Sequence, residues 1–161
     1  MNYLKLDATD IQLLDALQDN ASQTNQALAE RVKLSAPTCL RRVKRLRDSG
    51  LIEREIAVLN ADKLAATLGH GLTALVEITL DHQGAEQQEA FESKAVKESA
   101  VQQCYRVSPG PDFVLVVHAR DMPGYLALAQ RLFTSDANVR NVKAFFSVKR
   151  AKFEPKVLLT Q

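Results

Sequence analysis

Residues 35–50 read SAPTCLRRVKRLRDSG and set five cations against the single acid Asp48. Ser35 is a candidate helix N-cap, Pro37 falls in the first turn, where a missing N–H does no harm, and Gly50 is placed to end the helix. The apolar residues that recur at positions i, i+4 and i+7, and so predict one buried face, are Cys39, Val43 and Leu46. The segment therefore predicts an amphipathic helix with its cations on the outer side.

The residues before this segment predict two more helices joined by short turns. Asp7 or Thr9 can cap the first helix, and Thr24 can cap the second. The turn Lys33-Leu34-Ser35 then leads directly into the cationic helix. Two helices joined by so short a turn form a helix-turn-helix unit, whose second helix enters the major groove of DNA.

The charge distribution supports a nucleic-acid contact. The net charge is only +2, yet between residues 31 and 47 seven cations meet no acid, which is the footprint expected of a DNA-binding surface. We predict that the DNA contacts come from Ser35, Pro37, Thr38, Arg41, Arg42, Lys44 and Arg45. For Arg42 an alternative stays open, in which it pairs with Asp10 on the first helix and orients the cationic helix.

The rest of the chain alternates strand and helix patterns. Strands are predicted at 71–80, 100–107, 112–119 and 138–149, with helices at 84–98 and around Tyr125–Leu132. This order predicts a ferredoxin-like four-stranded sheet with both helices on one face. Together with an extended linker strand, it gives an α+β chain whose predicted parts are 1–50 (DNA-binding), 51–70 (linker) and 71–161 (ferredoxin-like).

Both faces of the predicted sheet carry apolar side chains. The residues expected to face the helices are Leu72, Ala74, Val76 and Ile78. The residues expected on the opposite face are Leu75, Val114, Val116 and Phe145. An uncovered apolar face of this extent is a liability in a monomer. We therefore predict a homodimer in which the sheets of two copies pack together.

Composition and motifs argue against several classes of protein. Apolar residues make up 46% of the chain, but no run approaches the ~18 apolar residues of a membrane span, so we expect a cytoplasmic protein without a membrane partner. His70, His82 and His118 are scattered, and no catalytic, metal-binding or phosphate-binding motif accompanies them. We expect neither enzyme activity nor a metal or cofactor. Cys39 and Cys104 are expected to be buried apolar groups.

Three stretches together resemble the Lrp/AsnC family of transcription regulators: LDATDIQLLDALQ, NQALAERVKLSAPTCLRRVKRLRDSGLI and SPGPDFVLVV. The resemblance implies a winged-type helix-turn-helix domain, a linker strand and a RAM/ACT-like ferredoxin-like domain. In the family that second domain dimerises and binds a small effector, usually an amino acid. Dimers of the family often assemble further into tetramers or octamers.

The resemblance also implies an effector site at the loop before the third strand. The family commonly has a glycine there, followed shortly by an aspartate and an aromatic residue. The expected effector contacts are Ser108, Gly110, Asp112, Phe113, Val139 and Asn141. Pro109 and Pro111 depart from the pattern, because each removes a backbone donor. The alternative is a plain hairpin turn in which Asp112 caps its own backbone.

The function predicted from these features is a sequence-specific, DNA-binding transcription regulator that responds to a small effector and is associated with the nucleoid. Two alternatives stay open. One is an architectural DNA-binding protein with little sequence preference. The other is a ligand-sensing module that acts through protein contacts, although such a module has no need for the cationic helix.

Overall fold

The computed structural model describes residues 4–69 and 71–159, so His70 lies outside the described residues. The chain divides into two compact units. The N-terminal unit contains the described residues up to Val58 together with residues 152–159, and the C-terminal unit is Leu59–Ala151. The predicted division at residues 50 and 70 differs from this one, chiefly because the end of the chain belongs to the N-terminal unit.

The three helices predicted for the N-terminal unit are present. They are α1 (Ala8–Asp19), α2 (Asn25–Arg31) and α3 (Ala36–Asp48). Asp7 caps α1 by accepting from the backbone N–H of Asp10, and Thr24 caps α2 by accepting from that of Ala27. Ser35 stands at the N-cap of α3, but its hydroxyl donates to Oγ1 of Thr38 at 2.8 Å and caps no backbone N–H.

The core of the N-terminal unit lies between these three helices. Its most deeply buried apolar residues are Leu13, Ala16, Leu28, Ala29, Cys39, Val43 and Leu46. The apolar positions predicted for α3 therefore form its inner face. Cys39 is buried, as expected, and burial raises the pKa of its thiol. Cys104, which was also expected to be buried, is half-buried on the second strand of the C-terminal unit.

The linker differs from the prediction. Residues 51–60 pair with no strand of the described chain, so no linker strand forms there. A strand needs a hydrogen-bonded neighbour, and the periodicity of a sequence does not say whether one exists. Before Gly69 the chain forms a short helix, α4 (Ala61–Leu68), which Asn60 caps and which ends at Gly69 with φ of +70°.

The C-terminal unit has the predicted ferredoxin-like topology. Its elements are β1 (Leu72–Leu80), α5 (Ala85–Ala95), β2 (Val101–Arg106), β3 (Phe113–Ala119), α6 (Met122–Ala129) and β4 (Val139–Phe146). A π-helical turn, Gln130–Thr134, continues α6. The strands are ordered β2-β3-β1-β4, and all neighbours are antiparallel.

One face of this sheet packs on the helices and the other is open. Ala74, Val76 and Ile78 are buried, as predicted, and pack with Phe91 of α5 and Leu128 of α6. On the other face five apolar side chains cross the whole sheet, a set called here the open-face stripe: Tyr105, Val114, Val116, Leu75 and Phe145. In the single chain Leu75 is 45% exposed and Phe145 54% exposed.

The end of the chain lies against α1. Lys156 Nζ is 2.5 Å from Asp19 Oδ1 and 3.4 Å from Asp15 Oδ1. The backbone N–H and C=O of Val157 both bond the side chain of Gln18, at 2.6 and 3.0 Å. Leu159 packs against the core of the N-terminal unit. The acidic face of α1 thus attracts a basic tail that the prediction had assigned to the other domain.

Candidate nucleic-acid interface and effector loop

A buried carboxylate joins α1 to α3. Asp10 is 1% exposed, and its Oδ1 accepts from Arg42 Nη1 at 2.8 Å. Its Oδ2 accepts from Arg45 Nη2 at 2.5 Å and from the backbone N–H of Asp7 at 3.2 Å. The carboxylate of Asp10 therefore completes the N-terminal cap of α1 and also binds two cations of α3.

Arg42 is held still more firmly than Arg45. Its Nη1 also donates to Asp7 Oδ2 at 2.7 Å. Its Nε is buried and has no hydrogen-bond partner among the described residues. The hydrogen bond from Arg42 holds the pKa of Asp7 below its usual value, and the same bond raises the pKa of Arg42. The alternative reading of Arg42, as the cation that orients α3, thus matches the geometry.

Four of the seven cations in residues 31–47 are paired with acids. Besides Arg42 and Arg45, Arg31 pairs with Asp19, and Arg47 pairs with Glu55 at 2.5 Å. The acids lie before and after the cationic stretch in sequence. Within residues 4–69 and 71–159, the cations of this stretch that form no ion pair are Lys33, Arg41 and Lys44.

The exposed side of α3 is a stripe at positions i, i+3, i+4 and i+7, called here the outer stripe: Pro37, Leu40, Arg41 and Lys44. All four are exposed, whereas Thr38 is half-buried. Leu40 was not among the predicted DNA contacts. The sequence pattern does indicate its exposure, because Leu40 lies one position after Cys39 and so outside the buried set of α3.

The loop between β2 and β3 is tied to the end of β1. Asp112 is 7% exposed, and its Oδ2 accepts from the backbone N–H of Leu80 at 2.7 Å and from Gln83 Nε2 at 3.2 Å. Its own N–H donates to the carbonyl of Ile78 at 2.8 Å. Asp112 therefore caps the end of another strand and not its own turn.

The other predicted effector contacts fall into two groups. Phe113 is fully buried, with its ring centroid 4.9 Å from that of Phe91, and Val139 packs against the same core. The exposed members are Ser108, Gly110 and Asn141. Gly110 has φ of +126° and open space where a Cβ would lie, which leaves its backbone accessible. The peptide bond Ser108–Pro109 is cis.

Among residues 4–69 and 71–159, no three His, Cys, Asp or Glu side chains are grouped to hold a metal ion. No helix of these residues has the length and apolar character needed to cross a membrane.

Family models match both units. Residues 6–53 match a winged helix-turn-helix DNA-binding model, and residues 73–157 match the Lrp/AsnC ligand binding domain. An uncharacterised HTH-type transcriptional regulator of Haemophilus influenzae is 36% identical over 98% of this chain and 93% of its own length. The leucine-responsive regulatory protein of Rhizobium meliloti is 34% identical, over 92% of this chain and 93% of that protein.

Solved structures agree. A transcriptional regulator of Neisseria meningitidis, in complex with L-Met, superposes with a TM-score of 0.83 at 30% identity, covering 96% of this chain and 97% of the other. An AsnC family regulator of Agrobacterium tumefaciens gives a TM-score of 0.83 at 25% identity, with the same coverage.

A helix-turn-helix unit in one chain with a ferredoxin-like ligand-binding unit defines a class of DNA-binding transcription regulators, not of enzymes. The matches over nearly the whole chain place this protein within that class. It belongs to the Lrp/AsnC family.

Asp10→Ala is expected to destabilise the N-terminal unit. The change removes the carboxylate that accepts from the backbone N–H of Asp7, and it leaves Arg45 without its anion. Loss of such a buried acceptor lowers the free energy of unfolding by about 1–3 kcal/mol. Hydrogen exchange of the α1–α3 amides measures the local unfolding free energy. Asp48→Ala, on the exposed end of α3, is the control and should change it by less than about 0.5 kcal/mol. Equal effects of the two changes would contradict the role of Asp10.

Proposed function

We propose that α3 binds the major groove of double-stranded DNA through its outer stripe and its N-terminal end. The observation that carries this proposal is the division of cations on α3. Arg41 and Lys44 are exposed and form no described ion pair, while Arg42 and Arg45 are held by Asp10. Exposed cations gain counterion release when they meet phosphate.

The predicted DNA contacts take different roles in this proposal. Arg41 and Lys44 bind phosphate or guanine, since either cation suits both. Ser35 and Thr38 lie at the start of α3, where hydroxyls and free N–H groups suit a phosphate oxygen. Arg42 and Arg45 fix the angle of α3, and Arg45, with a side chain 45% exposed, also reaches a phosphate at the rim. Pro37 contributes an apolar edge to the outer stripe.

The double variant Arg41→Gln/Lys44→Gln is expected to weaken DNA binding and to reduce its salt dependence. The plot of log K against log salt should lose about 0.9 in slope for each phosphate contact that disappears. Fluorescence anisotropy with a duplex selected from random DNA by the wild-type protein measures both quantities. Lys97→Gln, an exposed cation of the other unit, is the matched control. An unchanged slope in the double variant would refute the placement of DNA on α3.

The same experiment separates a regulator from an architectural protein. A regulator prefers its selected duplex over bulk DNA by a factor of about 10³ or more at physiological salt. Binding of both duplexes with equal affinity would favour the architectural alternative.

We propose further that the open-face stripe is covered by the sheet of a second copy. The stripe crosses all four strands; in the single chain Leu75, Tyr105 and Phe145 are exposed, and Val114 and Val116 are half-buried. Burying the stripe against a second copy removes apolar surface from water, which stabilises the dimer by about 25 cal/mol for each Å² buried. A two-fold dimer presents two α3 helices to DNA, so its operator is an imperfect palindrome with half-sites about one turn, or a multiple, apart. Tetramers and octamers are the further assemblies of such a dimer.

Phe145→Glu is expected to give a monomer. Residue 145 is exposed in the single chain, so a carboxylate there costs the fold little, but in a dimer it would be buried without a partner. Light scattering after gel filtration gives the mass directly. Val96→Glu changes an apolar residue outside the stripe that is also exposed, at 62%, and should keep the wild-type mass. A Phe145→Glu protein of wild-type mass would exclude this interface.

We propose an amino acid as the effector, bound at the loop of residues 108–112 beside the first residues of β4. The match to the Lrp/AsnC ligand binding domain and the L-Met in the Neisseria relative support this assignment. Ser108, Gly110 and Asn141 are exposed and offer the polar contacts, while Asp112, Phe113 and Val139 hold the loop in shape. Effector binding would alter the assembly or the DNA affinity of the regulator. We place the regulator in the cytoplasm at the nucleoid, because it binds DNA.

A thermal-shift screen of the twenty amino acids is expected to find one or more that raise the melting temperature. Binding at a hundredfold excess over Kd adds about 2.7 kcal/mol to the stability of the folded state. Asn141→Ala should reduce the shift, whereas Lys143→Ala, two residues further on the same strand, should retain it. A screen without any hit would contradict an amino-acid effector and leave the DNA proposal standing.

A further inference from the structure

Leu40 stands out on the DNA-facing helix. It is 58% exposed, although it lies next to Cys39, which is fully buried. Its side chain belongs to the outer stripe, with Pro37 one turn before it and Lys44 one turn after it. Leu40 therefore does not serve the core of the N-terminal unit, which α3 contacts through a different face.

A single exposed leucine needs no explanation by itself. Leu40 differs because two exposed cations lie beside it on the outer stripe. Arg41 follows it directly and Lys44 lies one turn further on, and neither forms an ion pair in the described chain. This charge pattern suits a polyanion, and it places the apolar side chain where the edges of the bases lie.

The major groove offers one apolar group for such a side chain. Guanine, adenine and cytosine present hydrogen-bond donors and acceptors at their edges, whereas thymine also presents its C5 methyl. A leucine makes no hydrogen bond, so it distinguishes bases only by covering that methyl or by leaving a polar edge without a partner. The second outcome costs binding energy and therefore reinforces the first.

We propose that Leu40 reads the C5 methyl group of a thymine in each half-site and so determines part of the sequence preference. This inference rests on the proposed binding of DNA by α3. In it, Arg41 and Lys44 fix the helix on the phosphates or on guanine, Arg42 and Arg45 set its angle through Asp10, and Leu40 adds discrimination at one base pair.

The test removes the methyl group from the DNA. The wild-type protein first selects a duplex from random DNA, and each thymine of that duplex is then replaced singly by deoxyuridine. At one thymine of each half-site the replacement should weaken wild-type binding by about fourfold, the effect of one buried methyl group. Elsewhere in the duplex it should have no effect.

The second half of the test changes the protein. Leu40→Ala should bind the thymine duplex more weakly than the wild type and should lose no further affinity with deoxyuridine, as in a double-mutant cycle. Because Leu40 is exposed, the change should leave the fold intact, which the melting temperature checks. Leu126→Ala is the matched control, since Leu126 is also 58% exposed but lies on α6, and this variant should keep the wild-type response to deoxyuridine.

The outcomes separate this inference from the proposed function. If the wild type and Leu40→Ala both bind the selected duplex but lose affinity by the same factor on removal of the methyl, the role of Leu40 is refuted. It is refuted as well if the wild type loses no affinity at any thymine. In both cases DNA binding by α3 stands. If the wild-type protein selects no duplex at all, the proposed function fails and the role of Leu40 fails with it.

Discussion

The N-terminal unit depends on one buried carboxylate. Asp10 receives a backbone N–H from the cap of α1 and two guanidinium groups from α3. These bonds join residues 32 and 35 positions apart, and the carboxylate that accepts them is buried. A charge buried there is stable only with its partners, so the angle between α1 and α3 is fixed by the need to satisfy it.

That requirement divides the cations of α3 between two tasks. A guanidinium group that already donates to a carboxylate neutralises a phosphate less well, so it releases less counterion from the DNA than a free one does. Arg42, whose side chain is 25% exposed, is committed to the protein, whereas Arg41 and Lys44 form no ion pair among the described residues. The surface that we propose for DNA is therefore narrower and less charged than the sequence alone suggests, and Leu40 lies within it.

The sequence predicted most of the fold, because the local signals were strong. The caps at Asp7 and Thr24, the buried face of α3 and the order of the four strands all follow from short-range patterns. What the sequence could not show was which distant groups meet. Counting acids within residues 31–47 left out Asp19 and Glu55, which lie outside that stretch and pair with Arg31 and Arg47. The pair of Asp10 with Arg42 stood among the alternatives, but the second pair of Asp10, with Arg45, did not. The docking of Lys156 on α1 is a contact of the same kind.

The same logic bears on the effector loop. Asp10 and Asp112 are both buried aspartates, each in its own unit, and each joins distant parts of the chain. Asp10 accepts from the guanidinium groups of Arg42 and Arg45, and Asp112 accepts from the backbone N–H of Leu80. An Asp112 that gave up Leu80 and Gln83 to bind an ammonium group would leave the end of β1 with an unsatisfied donor. Such a buried donor costs about 1–3 kcal/mol, and a ligand would have to offset that cost before it gained any affinity. An effector at this loop is therefore better recognised through the exposed groups of Ser108, Gly110 and Asn141, with Asp112 as the residue that keeps them in place.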